Sequence, residues 1–436
     1  MRKIEIDKTI KSINVMTLGC AKNLVDSERF TGLLLANGFE YTDNADTADA
    51  LIINTCGFIK SAKEENVQLI LQAADMRRRG KLKKLIVTGC LSERYNKELS
   101  TQIKNVDFFL GINSDEKILK ILKGDSKYIL HGERALFTPK HYAYLKISEG
   151  CNQKCSFCAI PLMRGKHISE PQEKLLNEAR RLAQNGTKEL VLIAQDSTYY
   201  GKDASGKQIL AQLLQNIADI EELKWVRLMY AYPRQFPHEI LDVIANHPKL
   251  CNYIDIPLQH ISDNVLKSMK RGIKAFKIRN LVETIREKIP NVAIRSTFIV
   301  GYPYETEQDF ELLLDFIRET ELDRVGVFTY SHEEGTTAYP LGDPIPQEVK
   351  DERRGRLMLV QQEISLKKNN AKIGKKIEVM IDGLENGHYI ARSRHDAPEV
   401  DNFVFLESDA ELQNGDIMEV IINKAEEYDL WATPTN

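Results

Sequence analysis

The sequence lacks a membrane-crossing stretch. No apolar run approaches the roughly 18–20 residues that span a bilayer, which sets helical membrane proteins aside. The opening residues, MRKIEIDKTIKS, have no apolar core of the kind a secretory signal needs, so a cytoplasmic protein is expected. Internal repeats and low-complexity segments are also missing, and a composition of 42% hydrophobic and 28% charged residues is that of an ordinary globular chain. With 436 residues there is room for two or three domains. Cysteine is sparse, seven in all. In a reducing compartment, grouped cysteines point to metal binding or catalysis rather than to disulfides. The densest group, Cys151, Cys155 and Cys158 in KISEGCNQKCSFCAIP, has no fourth thiol beside it.

The residues that are present fall into three regions. Up to about 135, short apolar strands (13–18, 50–55 and 84–89) alternate with amphipathic helices (58–79 and 113–123), as in a small doubly wound parallel sheet. From about 140 to 345 the alternation recurs with a longer period. Strands are expected at 142–148, 189–195, 225–230, 253–256, 292–300 and 324–329, with helices between them at 170–185, 237–246, 275–288 and 306–319. Six such units predict a partial parallel (βα)6 barrel. A charged helix, 346–371, then leads to short strands without a long helix, which predict a small all-β, OB-like barrel. The fold expected is therefore α/β with three domains, over 1–137, 138–372 and 373–436.

Cys20, Cys56 and Cys90 each stand just beyond the C-terminal end of a predicted strand. Those ends share one edge of an open parallel sheet, where ligands bind. Glycines beside them (Gly19, Gly57 and Gly89) allow close backbone approach. A single such cysteine would be read as a small buried apolar residue; three at equivalent strand ends favour one shared metal site. The 151–158 triplet lies at the C-terminal mouth of the predicted barrel, where barrel active sites sit. Zinc would need a fourth ligand there, and His167 is poorly spaced for it. Three thiolates on a [4Fe–4S] cluster would leave one iron open to a reactant. Cys251 has no neighbouring thiol and reads as a core or surface residue.

The C-x3-C-x2-C spacing, with Phe157 before the last cysteine, resembles the radical S-adenosylmethionine (SAM) enzymes. The resemblance implies that the open iron chelates SAM, whose reductive cleavage yields a 5′-deoxyadenosyl radical. It also implies SAM contacts from Gln195, with Asp196, in LIAQDSTYYG; from Arg295 and Ser296 in AIRSTF; and from Gly301 in TFIVGYPYETEQDF, where Tyr304 replaces a second glycine. Ordinary barrel scaffolding is the alternative for each of these. No catalytic side chain is assigned beyond the cluster ligands.

Two three-cysteine sets with these three domains look like the radical SAM methylthiotransferases. Family membership implies two [4Fe–4S] clusters, the second on Cys20, Cys56 and Cys90 carrying the sulfur to be inserted, and two SAM, one donating the methyl group and one the radical. It implies that the C-terminal barrel is a TRAM domain. The family acts either on a tRNA adenosine or on an aspartate of ribosomal protein S-twelve. Residues 374–436 carry five basic and 14 acidic residues, a net −9 within a total of −3. An RNA-binding module should be basic, so the charge favours a basic protein partner, although Arg392 and Arg394 alternate on one strand and could make a basic stripe. LGCAKNLVDSE, YAYPRQFP, IDIPLQHIS and HDAPEVDN resemble the protein-modifying branch. The partners expected are the ribosomal protein, an electron donor such as flavodoxin or ferredoxin, and a sulfur source; tRNA is the alternative substrate. An iron–sulfur electron carrier without SAM chemistry is the alternative from another class.

Overall fold

A computed structural model describes residues 9–124 and 134–435; residues 1–8 of the stretch examined for a secretory signal lie outside them. The chain divides into two compact units. One comprises Met1–Phe137 with Ala159–Lys166, the other Thr138–Cys158 with His167–Asn436.

The first unit is a parallel sheet of β1 (Ser12–Thr17), β2 (Glu40–Tyr41), β3 (Ala50–Thr55), β4 (Lys84–Gly89) and β5 (Phe108–Phe109), in the order β2-β1-β3-β4-β5. β3 and β4 are buried along their whole length, as strands covered on both faces must be. Alternate residues point to opposite sides. Ile52 and Ile86 meet α1 (Ala21–Ala36) and α5 (Asp115–Lys123), whereas Leu51, Ile53, Leu85 and Val87 meet α2 (Lys60–Arg78). Each such buried aliphatic side chain stabilises the unit by about 1.5–3 kcal/mol. Two short helices, α3 (Cys90–Arg94) and α4 (Asn96–Gln102), follow β4. The small helix α6 (Ile160–Arg164) completes the unit, its Ile160 and Met163 packing with Ala159, Cys90 and Ile112.

The second unit begins with a parallel ladder of β6 (Tyr142–Lys146), β9 (Glu189–Ile193) and β10 (Trp225–Leu228), interrupted in sequence by the antiparallel pair β7 (Ser148–Glu149) and β8 (Ile168–Ser169). A second ladder joins β11 (Tyr253–Asp255), β12 (Ala293–Val300) and β13 (Arg324–Thr329). The two meet at a parallel bridge between Val226 and Leu250, and Ala231 N–H donates to the Asp255 carbonyl (2.8 Å). The six strands thus follow sequence order round a partial barrel, as the hydrophobic pattern predicts. The outer layer is α7 (Gln172–Gln184), the short α8 (Lys202–Ser205), α9 (Leu210–Ala218), α10 (Glu239–Asn246), α11 (Asp263–Ser268), α12 (Ala275–Lys288) and α13 (Glu307–Thr320). α13 starts with a capping box in which Thr306 and Asp309 satisfy each other's backbone N–H. The charged helix α14 (Gln347–Asn370) packs on β13 and leads to a closed barrel, β14 (Lys376–Glu385), β15 (His388–Ser393), β16 (Val404–Leu406), β17 (Ile417–Ala425) and β18 (Leu430–Pro434), in the order β14-β15-β16-β18-β17.

This small barrel covers the N-terminal end of the parallel strands. Tyr142, Glu189, Trp225, Tyr253 and Arg324 are the first residues of their strands. Each bonds to it: Tyr142 to Glu399 (2.8 Å), Glu189 to Arg392 (2.7 Å), Trp225 to Glu378 (3.0 Å), Tyr253 to Asp401 (2.6 Å) and Arg324 to Asp396 (2.5 Å). The acidic surplus of the C-terminal module is therefore partly internal, neutralising the arginines of the parallel barrel. Nor is the alternating Arg392–Arg394 pair a basic stripe for RNA. Arg392 is buried between Glu189 and Asp382, and Arg394 donates to the Pro248 and Leu250 carbonyls. Among the described residues, no helix is long and apolar enough to cross a membrane.

Candidate functional site

In the first unit, Cys20, Cys56 and Cys90 follow the neighbouring strands β1, β3 and β4. Gly19 and Gly89 both have φ of +94°, a conformation side chains resist. A Cβ on Gly19 would lie 2.9 Å from Cys56 Sγ, and one on Gly57 would strike the Leu91 backbone. The strand ends are tied by Asn23, whose Nδ2 donates to the Leu18 and Thr55 carbonyls (2.8 and 3.0 Å), while Asn66 Oδ1 accepts from Cys56 N–H (2.7 Å). Arg164 arrives from α6, buried. Its Nε donates to Cys90 Sγ (3.3 Å) and its Nη2 to Asn23 Oδ1 (2.5 Å) and Asp26 Oδ2 (3.1 Å). Burial pushes the Cys90 thiol up to about 12 and raises Cys56, with Arg164 opposing both. Cys20 is exposed, and although its protein surroundings also work upward, Lys22, Arg164 and the first N–H groups of α1 outweigh them and the thiol is lowered. A cation and aligned N–H groups around three thiols fit an anionic sulfur-ligated group.

In the second unit the loop 151–158 follows β6 and β7 at the C-terminal mouth of the parallel barrel. Ser156 anchors it. Its N–H donates to the Met269 carbonyl (2.9 Å), its hydroxyl to the Ser268 carbonyl (2.9 Å), and its carbonyl accepts from Ala338 N–H (2.8 Å). Phe157 packs with Val265, Met269, Tyr302, Tyr330 and Ala338. Cys155 Sγ accepts from Arg271 Nη1 (3.2 Å) and lies 3.4 Å from the Tyr232 hydroxyl; the Arg271 guanidinium covers the Tyr232 ring at 4.3 Å. Gln153 N–H points at Cys151 Sγ (3.4 Å), and burial pushes the Cys151 thiol up to about 12. His167 stands apart, its Nε2 on Ser169 Oγ (3.2 Å). Among the described residues no three His, Cys, Asp or Glu side chains converge as a single ion would require. What fits a larger sulfur-ligated group is again a donor-lined, half-buried set of thiols beside a buried cation.

The expected SAM contacts divide. Asp196 reaches the cysteine loop, accepting from Gln153 Nε2 (2.8 Å), whereas Gln195 reaches β7 before it: its Nε2 donates to Glu149 Oε1 (3.2 Å), and Glu149 pairs with Lys146 (2.7 Å). The Gln195 Oε1 atom is buried with no partner. So is Gln259 Oε1, on a residue held at φ +75°. Two buried acceptors without donors fit a ligand bearing an ammonium group. Arg295 is elsewhere. It stands five residues short of the C-terminal end of β12, about 16 Å at strand rise, and its guanidinium is on Asp255 (3.2 Å) and Asp401 (3.3 Å). In place of the expected SAM contact, it joins the two barrels. Ser296 Oγ donates to the Ile256 carbonyl (2.9 Å) and accepts from Leu258 N–H (3.2 Å), so it fastens β12 to the segment after β11. Gly301 lies under Lys350, where a Cβ would come within 2.3 Å of Lys350 Cγ. Cys251 is buried. Sequence reasoning missed Asn23, Arg164, Tyr232, Gln259 and Arg271. Only Asn23 left a local signal, a polar residue in the first helical turn after Cys20.

Comparison with known proteins matches three stretches of the chain. Residues 12–111 match the uncharacterized protein family UPF0004, residues 145–317 the radical SAM superfamily, and residues 373–434 the TRAM domain. The chain is 50% identical over 426 residues to the ribosomal protein uS12 methylthiotransferase RimO of Flavobacterium johnsoniae, covering 97% of this chain and 98% of that one. It is 48% identical over 421 residues to the protein of the same name from Aquifex aeolicus, with 96% of each covered. Among solved structures, the radical SAM methyltransferase TsrM of Kitasatospora setae superposes with a TM-score of 0.54 at 14% identity, covering 76% of this chain and 77% of that one. The cobalamin-dependent radical SAM enzyme OxsB gives 0.51 at 13%, covering 81% and 56%. At such identities these two speak for the fold alone.

Proposed function

We propose, since this chain belongs to the family of the ribosomal protein uS12 methylthiotransferases RimO, that it inserts a methylthio group at the β-carbon of an aspartate of uS12. We assign one [4Fe–4S] cluster to Cys151, Cys155 and Cys158 and a second to Cys20, Cys56 and Cys90. When bound, the first supplies one-electron cleavage of SAM and the second the sulfur to be transferred. The observation that carries the reading is the repetition of an incomplete thiol set: one unit presents Cys20, Cys56 and Cys90 after three neighbouring parallel strands, the other Cys151, Cys155 and Cys158 in one loop, each set beside a buried arginine and without a fourth thiol next to it.

The chain's own residues then have defined work. Arg271 and Arg164 offset negative charge on thiolate sulfur in low-dielectric surroundings, where such a contact is far stronger than in water. Gln153 directs its N–H at Cys151 sulfur, and Tyr232 holds its hydroxyl beside Cys155 sulfur. Gln195 and Gln259 offer carboxamide oxygens to the SAM ammonium, with Glu149 holding Gln195 in place. Phe157 and its apolar neighbours keep water from the loop, as radical chemistry requires.

The test is anaerobic reconstitution with iron and sulfide, then incubation with SAM, a reductant, and either uS12 or tRNA. Methylthiolation of the protein, read by mass spectrometry, is expected; modification of the tRNA with none on uS12 would overturn the reading. Cys155→Ala should abolish 5′-deoxyadenosine formation. Cys56→Ala should leave some of it and block sulfur insertion, and equal loss in both would show that the two sets do not have separate roles.

A further inference from the structure

A surface groove of about 640 Å3 lies between the loop after β10 and the start of α12. Its floor is Phe236 and Leu281, and Phe276 stands at its rim, 55% exposed. The rim is strongly cationic. From residue 264 to 282 there are six basic residues and no acidic one. Arg234 and Lys277 line the groove from opposite walls, Lys267, Lys270 and Lys274 are exposed close to it in sequence, and none of these five has an ion-pair partner among the described residues. In sequence the run is flanked by Asp263 and Glu283; Asp263 already accepts from Ala275 N–H (2.7 Å). Surface lysines are ordinarily interspersed with acids. A run of uncompensated cations round an exposed phenyl ring is the composition of a binding face for an acidic partner.

The groove's covalent neighbours say what that partner does. Pro233 and Gly272 line it, and the residues before them are Tyr232 and Arg271. These are the two side chains on Cys155 Sγ, at 3.4 and 3.2 Å, and the Tyr232 hydroxyl also donates to the Arg271 carbonyl (3.3 Å). The surface is thus one residue removed from a proposed cluster ligand by two routes, and it lies on the helix-covered outside of the barrel, away from the lumen that SAM must occupy.

We propose that this groove is the docking face for an acidic, low-potential one-electron carrier protein, which reduces the barrel cluster through the Tyr232–Arg271 wall. This rests on the assignment of Cys155 as a cluster ligand. The step is outer-sphere: one electron leaves the carrier's reduced centre and enters the cluster, and no bond or proton changes hands.

Reduced flavodoxin is the probe, with sodium dithionite as the small-molecule reductant for comparison. For the double variant Lys274→Glu/Lys277→Glu, and separately for Phe276→Asp, we expect the Kd for flavodoxin to rise about tenfold or more, since reversing rim charges removes electrostatic steering. Flavodoxin-driven 5′-deoxyadenosine formation should fall in step, dithionite-driven formation should not change, and the flavodoxin rate of the unsubstituted protein should fall with salt. Unchanged flavodoxin titrations and rates in both variants overturn the proposal. So does loss of ribosomal RNA binding in the variants with flavodoxin binding intact, which would make the face a nucleic-acid site. Failure of dithionite to drive SAM cleavage in the unsubstituted protein would instead count against the radical assignment, while the flavodoxin titration still decides the docking face.

Discussion

Arg164 shows how much a single side chain can organise. It is buried, bonds Cys90 Sγ, Asn23 and Asp26, and acts electrostatically on all three thiols of its unit. Removing one partner from a buried charged network costs about 3–5 kcal/mol. Arg164→Ala should therefore lower the denaturation midpoint of the apoprotein by a loss of that order and reduce the iron retained after reconstitution; iron retention equal to that of the unsubstituted protein would dismiss a role at the thiols. His260 offers a pH test. Its Nδ1 accepts from Ser262 N–H (3.0 Å), and burial, with Arg353 adding to it against Asp309, depresses its pKa from 6.5 to about 3. Between those values the unfolded chain binds the proton and the folded one does not, so stability falls as pH drops from 6.5 towards 3, by up to about 1.4 kcal/mol per unit. His260→Asn should flatten the denaturation profile over that window and leave it unchanged above pH 7.

The element that sets the first thiol site is the turn from β1 to α1. Gly19 combines a φ of +94° with a Cβ position 2.6 Å from Cys56 Cβ; Gly38, at φ +89°, has nothing within 4 Å. Gly38→Ala should cost only backbone strain, about 1–2 kcal/mol. Gly19→Ala adds a steric conflict worth a further 1–3 kcal/mol or so, and it should lose the iron of the first unit while keeping that of the barrel. Equal iron content in the two variants would remove the close-approach argument. Elements were the most legible level of the sequence. β3 and β4 coincide with 50–55 and 84–89, and α12 with 275–288, because a short continuous apolar run and period-3.6 burial are local signals. Helix α6 was not legible: five residues with no amphipathic pattern of their own take their place from Cys90 and Ile112, far away in sequence.

At the scale of the molecule, the C-terminal barrel serves as the base of the parallel one. Glu189 carries two arginines, Arg227 and Arg392, each at 2.7 Å, with all three side chains essentially inaccessible. Burial works against its charge, but the two guanidinium groups prevail and hold the carboxyl below its usual range. Glu189→Gln would leave two buried cations short of a counter-charge. It should destabilise the unit by about 3 kcal/mol or more, and both barrels should unfold in one transition. A separate, unperturbed transition for the C-terminal barrel would show that the two are energetically independent. The charge asymmetry, −9 over the last 63 residues, carries less information about partners than its size suggests, because Glu378, Asp382, Asp396, Glu399 and Asp401 are already engaged inside the unit.

The sequence alone determined the order of the α/β sheet, parallel barrel and small β-barrel, and the places of Cys20, Cys56 and Cys90 just beyond strand ends. Those properties follow from hydrophobic period and from spacing, which adjacent residues carry. Only the tertiary structure decided which side chains face the sulfurs and what Arg295 does. Arg164 meets Cys90 across 74 residues, Arg271 meets Cys155 across 116, and Arg295 meets Asp401 across 106. A charged side chain goes wherever the packed chain brings it a partner, because a buried charge without one is too costly to persist.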